Sequence, residues 1–270
     1  MVFTSVKKTK GITVLAIASL AVILTLVITG IFGGIVKSST TIIHATNRDV
    51  QLKLEECLGY PVHDEVVTVN GVKFYLYFPF RHGSDRETFL KHTPTGALMR
   101  CLQLNASGVK PLSNAELDVL KSYFHYLTNE LGYEDVAVAF IPGLRTVYVA
   151  VPGDSEYDAV VEWVIGNVTG YDDTISVVVR RVPYGERTGM NLGGMLYYET
   201  FNKLESAGIP VVKGAFAMYN PLTGRVEVTI GMSNPSDEDL AKILKILAEN
   251  PAVKEAGELD VVFMDIAIGW

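Results

Sequence analysis

The sequence predicts an α+β protein with an N-terminal transmembrane helix followed by three tandem αββαβ modules. Three observations favour this fold class: an uncharged apolar run, three hairpin-like stretches of alternating apolar residues, and helix start and stop signals around each hairpin. We therefore divide the chain into a basic N-terminus (1–10), a membrane span (11–36) and modules at 46–107, 113–184 and 188–270.

The apolar run at 11–36 contains no charged side chain. As a helix it would be about 39 Å long, against a hydrocarbon core of about 30 Å. A cleavable signal peptide has a shorter apolar stretch and a small-x-small cleavage site, which this flank lacks. Three lysines precede the run, whereas Lys37 is the only basic residue after it before Arg48. Because basic flanks stay in the cytoplasm, we expect a single-pass anchor in the lipid bilayer with an extracytoplasmic head.

The residues Lys10 and Gly11, followed by Ile12, Thr13 and an uncharged apolar helix, resemble the class III signal of archaeal type IV prepilins. The resemblance covers about the first 36 residues, and Ala16 stands where bacterial pilins carry Glu. It implies cleavage between Gly11 and Ile12 and assembly into a pilin-like filament. A permanent anchor, without cleavage, is the competing interpretation.

The charge of the head excludes one class of partner. The chain has 23 Lys and Arg and 30 Asp and Glu, and since the first 36 residues hold three lysines and no acid, the head has a net charge of −10. An acidic surface repels phosphate backbones. We therefore expect no nucleic acid partner, and favour another envelope protein or self-association.

Two cysteines and two sequons fit an extracytoplasmic head. Cys57 and Cys101 both follow the membrane span, where thiols oxidise, and we predict one disulfide between the end of the first helix and the third strand of module 1. Asn105 and Asn167 each begin an Asn-x-Ser/Thr triplet and are possible glycosylation sites.

Each module is built around one predicted hairpin. The stretch 66–78 alternates around Asn70-Gly71, a dipeptide that accepts the positive φ angles of a type I′ turn. Residues 136–151 and 214–230 repeat the pattern around Pro142-Gly143 and around a turn ending at Gly224. The recurrence indicates a small repeated unit.

Helices and a third strand complete each predicted module. The first helices end at Gly59, Gly132 and Gly208. Ser84 with Glu87 and Ser113 with Glu116 fit capping boxes that would each start a helix, the former being the second helix of module 1. The third strands are predicted at 96–104, 174–182 and 260–268. Each module would thus place a three-stranded sheet against two helices, and modules this small would share interfaces.

The stretch VTVNGVKFYL, followed by a helix and a strand, resembles the BON domain, a small αββαβ envelope module. The second module is similar in the same way, whereas the third departs from the pattern through its longer connection LAENPAVKEAGELD. The resemblance implies binding at membranes or to other envelope components. A generic ferredoxin-like arrangement fits nearly as well.

Histidines and aromatic residues are the remaining candidates for chemistry or binding. His63, His82 and His92 are weak candidates for a metal site, but no pair has the His-x-x-x-His spacing, so solvated surface is the simpler interpretation and we expect no cofactor. The residues that could form a binding surface, for neighbouring modules or for a protein or carbohydrate partner, are Tyr75, Tyr77, Tyr197 and Tyr198.

These patterns favour a non-enzymatic, membrane-anchored envelope protein whose head binds or scaffolds other components. The first alternative is a type IV pilin-like filament subunit processed after Gly11. The second is an extracytoplasmic metal-dependent hydrolase that uses the three histidines.

Overall fold

The computed structural model describes residues 40–45, 47–59, 61–83, 85–153, 156–209, 216–233 and 236–265. The predicted membrane span and the predicted processing site at Lys10, Gly11 and Ile12 lie outside these residues. Within them, every helix is too short or too polar to cross a bilayer.

The described residues form a mixed α+β fold. The nine strands are β1 (Thr40–His44), β2 (Glu65–Val69), β3 (Val72–Tyr77), β4 (Ala137–Ile141), β5 (Thr146–Pro152), β6 (Ser176–Val182), β7 (Phe216–Asn220), β8 (Arg225–Met232) and β9 (Glu258–Asp265). The helices are α1 (Arg48–Leu58), α2 (Arg86–His92), α3 (Pro94–Leu102), α4 (Asn114–His125), α5 (Tyr157–Val164), α6 (Glu186–Met195), α7 (Phe201–Ser206), α8 (Asp237–Glu249) and α9 (Pro251–Ala256). A π-helical turn, Leu196–Thr200, joins α6 to α7.

The strands belong to two sheets. One has the order β1-β6-β5-β4 and the other the order β2-β3-β9-β8-β7. Strand β5 is parallel to β6, and β9 is parallel to both β3 and β8, whereas the remaining pairs are antiparallel. Strands β4 and β7 therefore each lie at one end of a sheet.

The first predicted module differs from the structure in two ways. Its third strand, predicted at 96–104, is instead helix α3. The helix forms because Thr93 accepts a hydrogen bond from the Gly96 amide and because Pro94 suits the first helical position. Its hairpin does not form a separate sheet, since β3 pairs with β9 at the other end of the chain. Strand β1, which we did not predict, pairs with β6.

The local start and turn signals can be compared with the structure one by one. Ser84, the predicted cap, lies outside the described residues, and Asp85 caps α2 by accepting a hydrogen bond from the Thr88 amide. Ser113 forms a capping box that starts α4. Asn70 and Gly71 have φ angles of 51° and 86° between β2 and β3, so the first hairpin turns where predicted.

Two apolar cores lie against the sheets. The larger core joins residues of both sheets to α1, α3, α6 and α8. The smaller core lies on the other face of the four-stranded sheet, against α4 and α5. Along β5, Val147 and Val149 belong to the smaller core and Tyr148 and Ala150 to the larger one. This central strand is buried on both faces, which explains why it is almost continuously apolar.

Candidate functional site

A disulfide joins Cys57 to Cys101, the pair that the sequence predicts, with the two Cα atoms 5.4 Å apart. Because Cys101 lies on α3, the bond connects helices α1 and α3 and not a helix to a strand. Both cysteines are buried in the larger core. The bond therefore serves to hold two helices together.

Both predicted glycosylation asparagines are exposed. Asn105 follows α3, and its side chain donates a hydrogen bond to the Gln103 carbonyl at 3.1 Å. Asn167 lies in the π-helical turn after α5 and donates to the Trp163 carbonyl at 2.8 Å. A glycan would have access to either side chain.

The three candidate histidines lie in two places. The imidazole of His82 is 2.5 Å from the Asp64 carboxylate and stacks on the ring of His92, with centroids 3.9 Å apart. His63 packs edge-on against Tyr75 instead. Parallel stacked rings do not converge on one point, and among the described residues no group of three potential ligands could hold a metal ion.

Of the four candidate tyrosines, Tyr77 does not belong to any surface. Its side chain is buried, and its hydroxyl donates to Asp260 Oδ1 at 3.2 Å. Sequence alternation placed Tyr75 and Tyr77 on one strand face, but it could not show that other residues cover the Tyr77 end of that face. Tyr75 is partly exposed, and burial raises the pKa of its hydroxyl to about 12.

A nearly buried arginine organises this face of the five-stranded sheet. Arg225 Nε lies 2.8 Å from Asp260 Oδ1, and the guanidinium stacks 3.8 Å above the Tyr75 ring. Glu258 lies 3.7 Å from its Nη1 atom. Asp260 is fully buried and receives Oδ1 bonds from both Arg225 and Tyr77. Arg225 compensates the negative charge of Asp260, and this pairing explains why an acid can be buried at this position.

Glu227 is a second buried acid on the same face, directly opposite Asp260 in the β8-β9 register. Its Oε2 atom accepts hydrogen bonds from the Thr95 amide at 2.6 Å and the Thr95 hydroxyl at 2.7 Å. Its Oε1 atom accepts from Thr229 at 3.0 Å. Burial, above all, raises the pKa of Glu227 to about 7. The carboxyl thus links the first turn of α3 to the sheet.

One of the open sites among the described residues is a cleft between two sheet edges, which we name the β4/β7 cleft. It has a volume of about 330 Å³, and its walls come from the start of β4, from β7 and from α6. The lining residues are Ala137, Val138, Glu186, Met190, Gly193, Ala217, Met218, Tyr219 and Pro221. A second hollow of about 450 Å³ shares Glu186 and Met190 and continues toward Glu134 and Asn129. The lining of the cleft is mostly apolar, whereas the second hollow is more polar and also contains Arg187. Glu186 lies at the junction of the two hollows.

Exposed apolar side chains occur on α6, on the following π-helical turn and on β7, and two of them, Met190 and Met218, line the cleft. Met190 is 63% exposed, Tyr197 52% and Tyr198 72%, and the others in this group are Met195, Phe216 and Met218. Tyr197 contacts both Tyr198 and Phe201 edge-on. We call this group the methionine-tyrosine surface. Methionine and tyrosine side chains offer large contact areas.

The sequence predicts the two tyrosines of this surface but not its methionines or β7. The apolar spacing of α6 could have indicated the methionines. Leu192 and Leu196, four residues apart, define the buried face of α6 and the turn after it. Met195 and Tyr198 lie off that face, so they are apolar residues that the core does not explain.

Comparison with known proteins places the chain in no family. No family model matches it, and no curated protein does. Two solved structures of CdsD, a structural protein of the type III secretion system of Chlamydia trachomatis, were found. One is 12% identical, with 80% of this chain and 91% of that chain covered and a TM-score of 0.21. The other, of the C-terminal domain, is 13% identical, covers 80% and 95%, and has a TM-score of 0.19. TM-scores at this level do not establish a shared fold.

Proposed function

We propose that this chain is a membrane-anchored extracytoplasmic protein whose head binds another envelope protein through the methionine-tyrosine surface. The anchor is the apolar run at 11–36, with the basic N-terminus in the cytoplasm. The role of the head is binding and not catalysis.

One observation carries the proposal: large apolar side chains are exposed together, beside the end strand of a sheet. Tyr198 is 72% exposed and Met190 63%, and both lie on one helical segment next to β7. Single exposed apolar residues are ordinary on protein surfaces, whereas grouped ones indicate an interaction site. Aromatic residues and methionine are also enriched at the centre of interfaces.

The buried acids favour binding over catalysis for this head. Asp260 is paired with Arg225, and Glu227 is bonded to Thr95 and Thr229, so both carboxyls have partners inside the fold. Both are fully buried. A substrate would have no access to them without displacing the residues that cover the sheet.

Site-specific photo-crosslinking tests the proposal. Benzoylphenylalanine replaces Tyr198 in the full-length protein in native membranes, and the control variant carries it at Tyr171, an exposed tyrosine that follows α5. We expect one discrete crosslinked protein from position 198 and none from position 171. Equal crosslinking from both positions, or none from either, would contradict a specific binding surface.

A further inference from the structure

We propose that the β4/β7 cleft takes an extended segment of the partner protein, which pairs with the free edge of β7 as an additional strand. The segment would have apolar residues at alternate positions and a Lys or Arg that reaches Glu186. This inference rests on the proposed function, because it names the way in which the head holds its partner.

Strand β7 ends the five-stranded sheet, and β4 ends the four-stranded one, so within the described residues neither is paired with a strand on its outer side. Both strands line the same cleft. Three successive residues of β7 do so, namely Ala217, Met218 and Tyr219, which makes β7 the stronger template. Unpaired strand edges are sites where another chain adds a strand.

The strand register assigns the backbone groups of β7 that face the cleft. The Val226 amide donates to the Tyr184 hydroxyl at 2.5 Å and therefore does not point at β7. Tyr219 is opposite Val226 in the register, so this pair exchanges no backbone hydrogen bonds. By alternation the amides of Ala217 and Tyr219 face outward. An incoming strand would find two amide donors there.

The walls of the cleft combine apolar side chains with one carboxylate. Met190 and Gly193 of α6 and Val138 of β4 give apolar walls on either side. Glu186 lies where the cleft meets the second hollow, and burial raises the pKa of its carboxyl. A carboxylate beside apolar walls gains from an incoming cation. The charge and the two strand edges together fit an extended, alternating peptide with one basic residue.

Ala217→Pro is the decisive variant. Proline removes the outward amide of Ala217 but leaves the β7-β8 ladder intact, because proline is tolerated where a strand's N–H faces outward. Ala217→Ser is the matched control, since serine is similar in size and keeps the amide. Benzoylphenylalanine at Met190 in the full-length protein reports occupancy of the cleft, and mass spectrometry identifies the attached segment.

We expect Ala217→Pro to lower crosslinking from position 190 about tenfold, because the loss of a hydrogen bond and the clash with the proline ring together reduce the affinity by about that factor. The crosslinking yield of Ala217→Ser should stay within about twofold of that of the natural protein, and Glu186→Gln should lower the yield by about threefold. The attached segment should be extended and contain a basic residue. Unchanged crosslinking in a folded Ala217→Pro variant would overturn strand addition.

Amide hydrogen exchange provides a second measurement that needs no variant. In the free protein, the amides of Ala217 and Tyr219 should exchange faster than that of Met218, which points at β8. The mapped segment, added as a synthetic peptide, should slow both. Equal protection of all three amides in the free protein would overturn the assignment of the edge. If crosslinking from position 198 persists in that case, the proposed function stands while strand addition fails; if it is also absent, both fail.

Discussion

The charged residues inside the five-stranded sheet depend on one another. Asp260 is fully buried, and Arg225 supplies the charge that compensates it. Among the described residues no donor bonds to Asp260 Oδ2. The buried carboxylate is therefore held by the two hydrogen bonds that its Oδ1 atom accepts from Arg225 and Tyr77. Removing one partner of a buried ion pair leaves the other charge uncompensated.

Arg225→Met is therefore expected to be strongly destabilising. The free energy of unfolding should fall by about 3–5 kcal/mol, because the Asp260 carboxylate loses its counter-charge. Urea unfolding followed by tryptophan fluorescence measures the loss. The double variant Arg225→Met with Asp260→Asn should recover part of it, and no recovery would contradict the pairing.

Glu227 should make the stability of the protein depend on pH. Its pKa is about 7 in the folded protein and 4.5 ordinarily, so the folded state binds more protons than the unfolded state between these values. The free energy of unfolding therefore falls as the pH rises through this window, by roughly 3 kcal/mol from this group.

Glu227→Gln should remove most of the decrease of the unfolding free energy with rising pH, since an amide carries no charge and can still bond to Thr95 and Thr229. Unfolding free energies at about pH 5 and about pH 8 measure it, and we expect the variant to be more stable than the natural protein at the higher pH only. Glu205→Gln changes an exposed glutamate and serves as the control. A pH dependence unchanged in Glu227→Gln would contradict the assignment.

Among the elements, α1 and α3 are held by the disulfide of Cys57 and Cys101. Reduction, or the double change of both cysteines to Ala, should lower the free energy of unfolding by about 3–4 kcal/mol in the chain-entropy account of a loop of this length. Urea titrations with and without reductant measure the loss. Alkylation of the undisturbed protein is the check, because free thiols there would refute the bond.

The packing of α6 on β7 depends on glycines. A Cβ at Gly189 would overlap the ring of Tyr219, whereas one at Gly194 meets no other atom of the described residues within 4 Å. Gly189 is buried and Gly194 exposed on the same helix. The helix can therefore approach the strand only where it has no side chain.

Gly189→Ala and Gly194→Ala form a matched pair for this contact. Gly194→Ala should raise the free energy of unfolding by about 0.5–1 kcal/mol, since alanine favours a helix. Gly189→Ala should lower it by about 1–3 kcal/mol because the helix must move from β7. Thermal unfolding of both variants measures the two changes in unfolding free energy. Equal changes would argue against close packing of α6 on β7 at Gly189.

At the scale of the whole molecule, the fold joins distant parts of the chain. Residues 38–270 form one compact unit. Within it, the pairing of β3 with β9 joins the first hairpin to the rest of the five-stranded sheet. The strand that follows the predicted anchor, β1, joins the four-stranded sheet.

The N-terminus decides between an anchor and a filament subunit. We expect the protein recovered from native membranes to keep the lysines at 7–10, because the apolar run then remains a permanent anchor. The mass and N-terminal sequence of that protein measure this directly. A chain beginning at Ile12 would contradict the anchor and favour prepilin-type processing.

The sequence by itself determined the local features. It predicted the turn at Asn70-Gly71, the capping box at Ser113 and the pairing of Cys57 with Cys101, because each depends on a few neighbouring residues or on the only two cysteines present. It also predicted the mixed α+β class, since apolar periodicity reports helices and strands.

Only the tertiary structure decided which strands are partners and which surfaces stay open. Lys73 lies opposite Glu258 in the β3-β9 register, and a contact between residues so distant in the chain leaves no local pattern. The burial of Tyr77 and the exposure of Met190 follow from such contacts as well. The β4/β7 cleft exists for the same reason, because it is bordered by the ends of two sheets whose composition is fixed by long-range pairing.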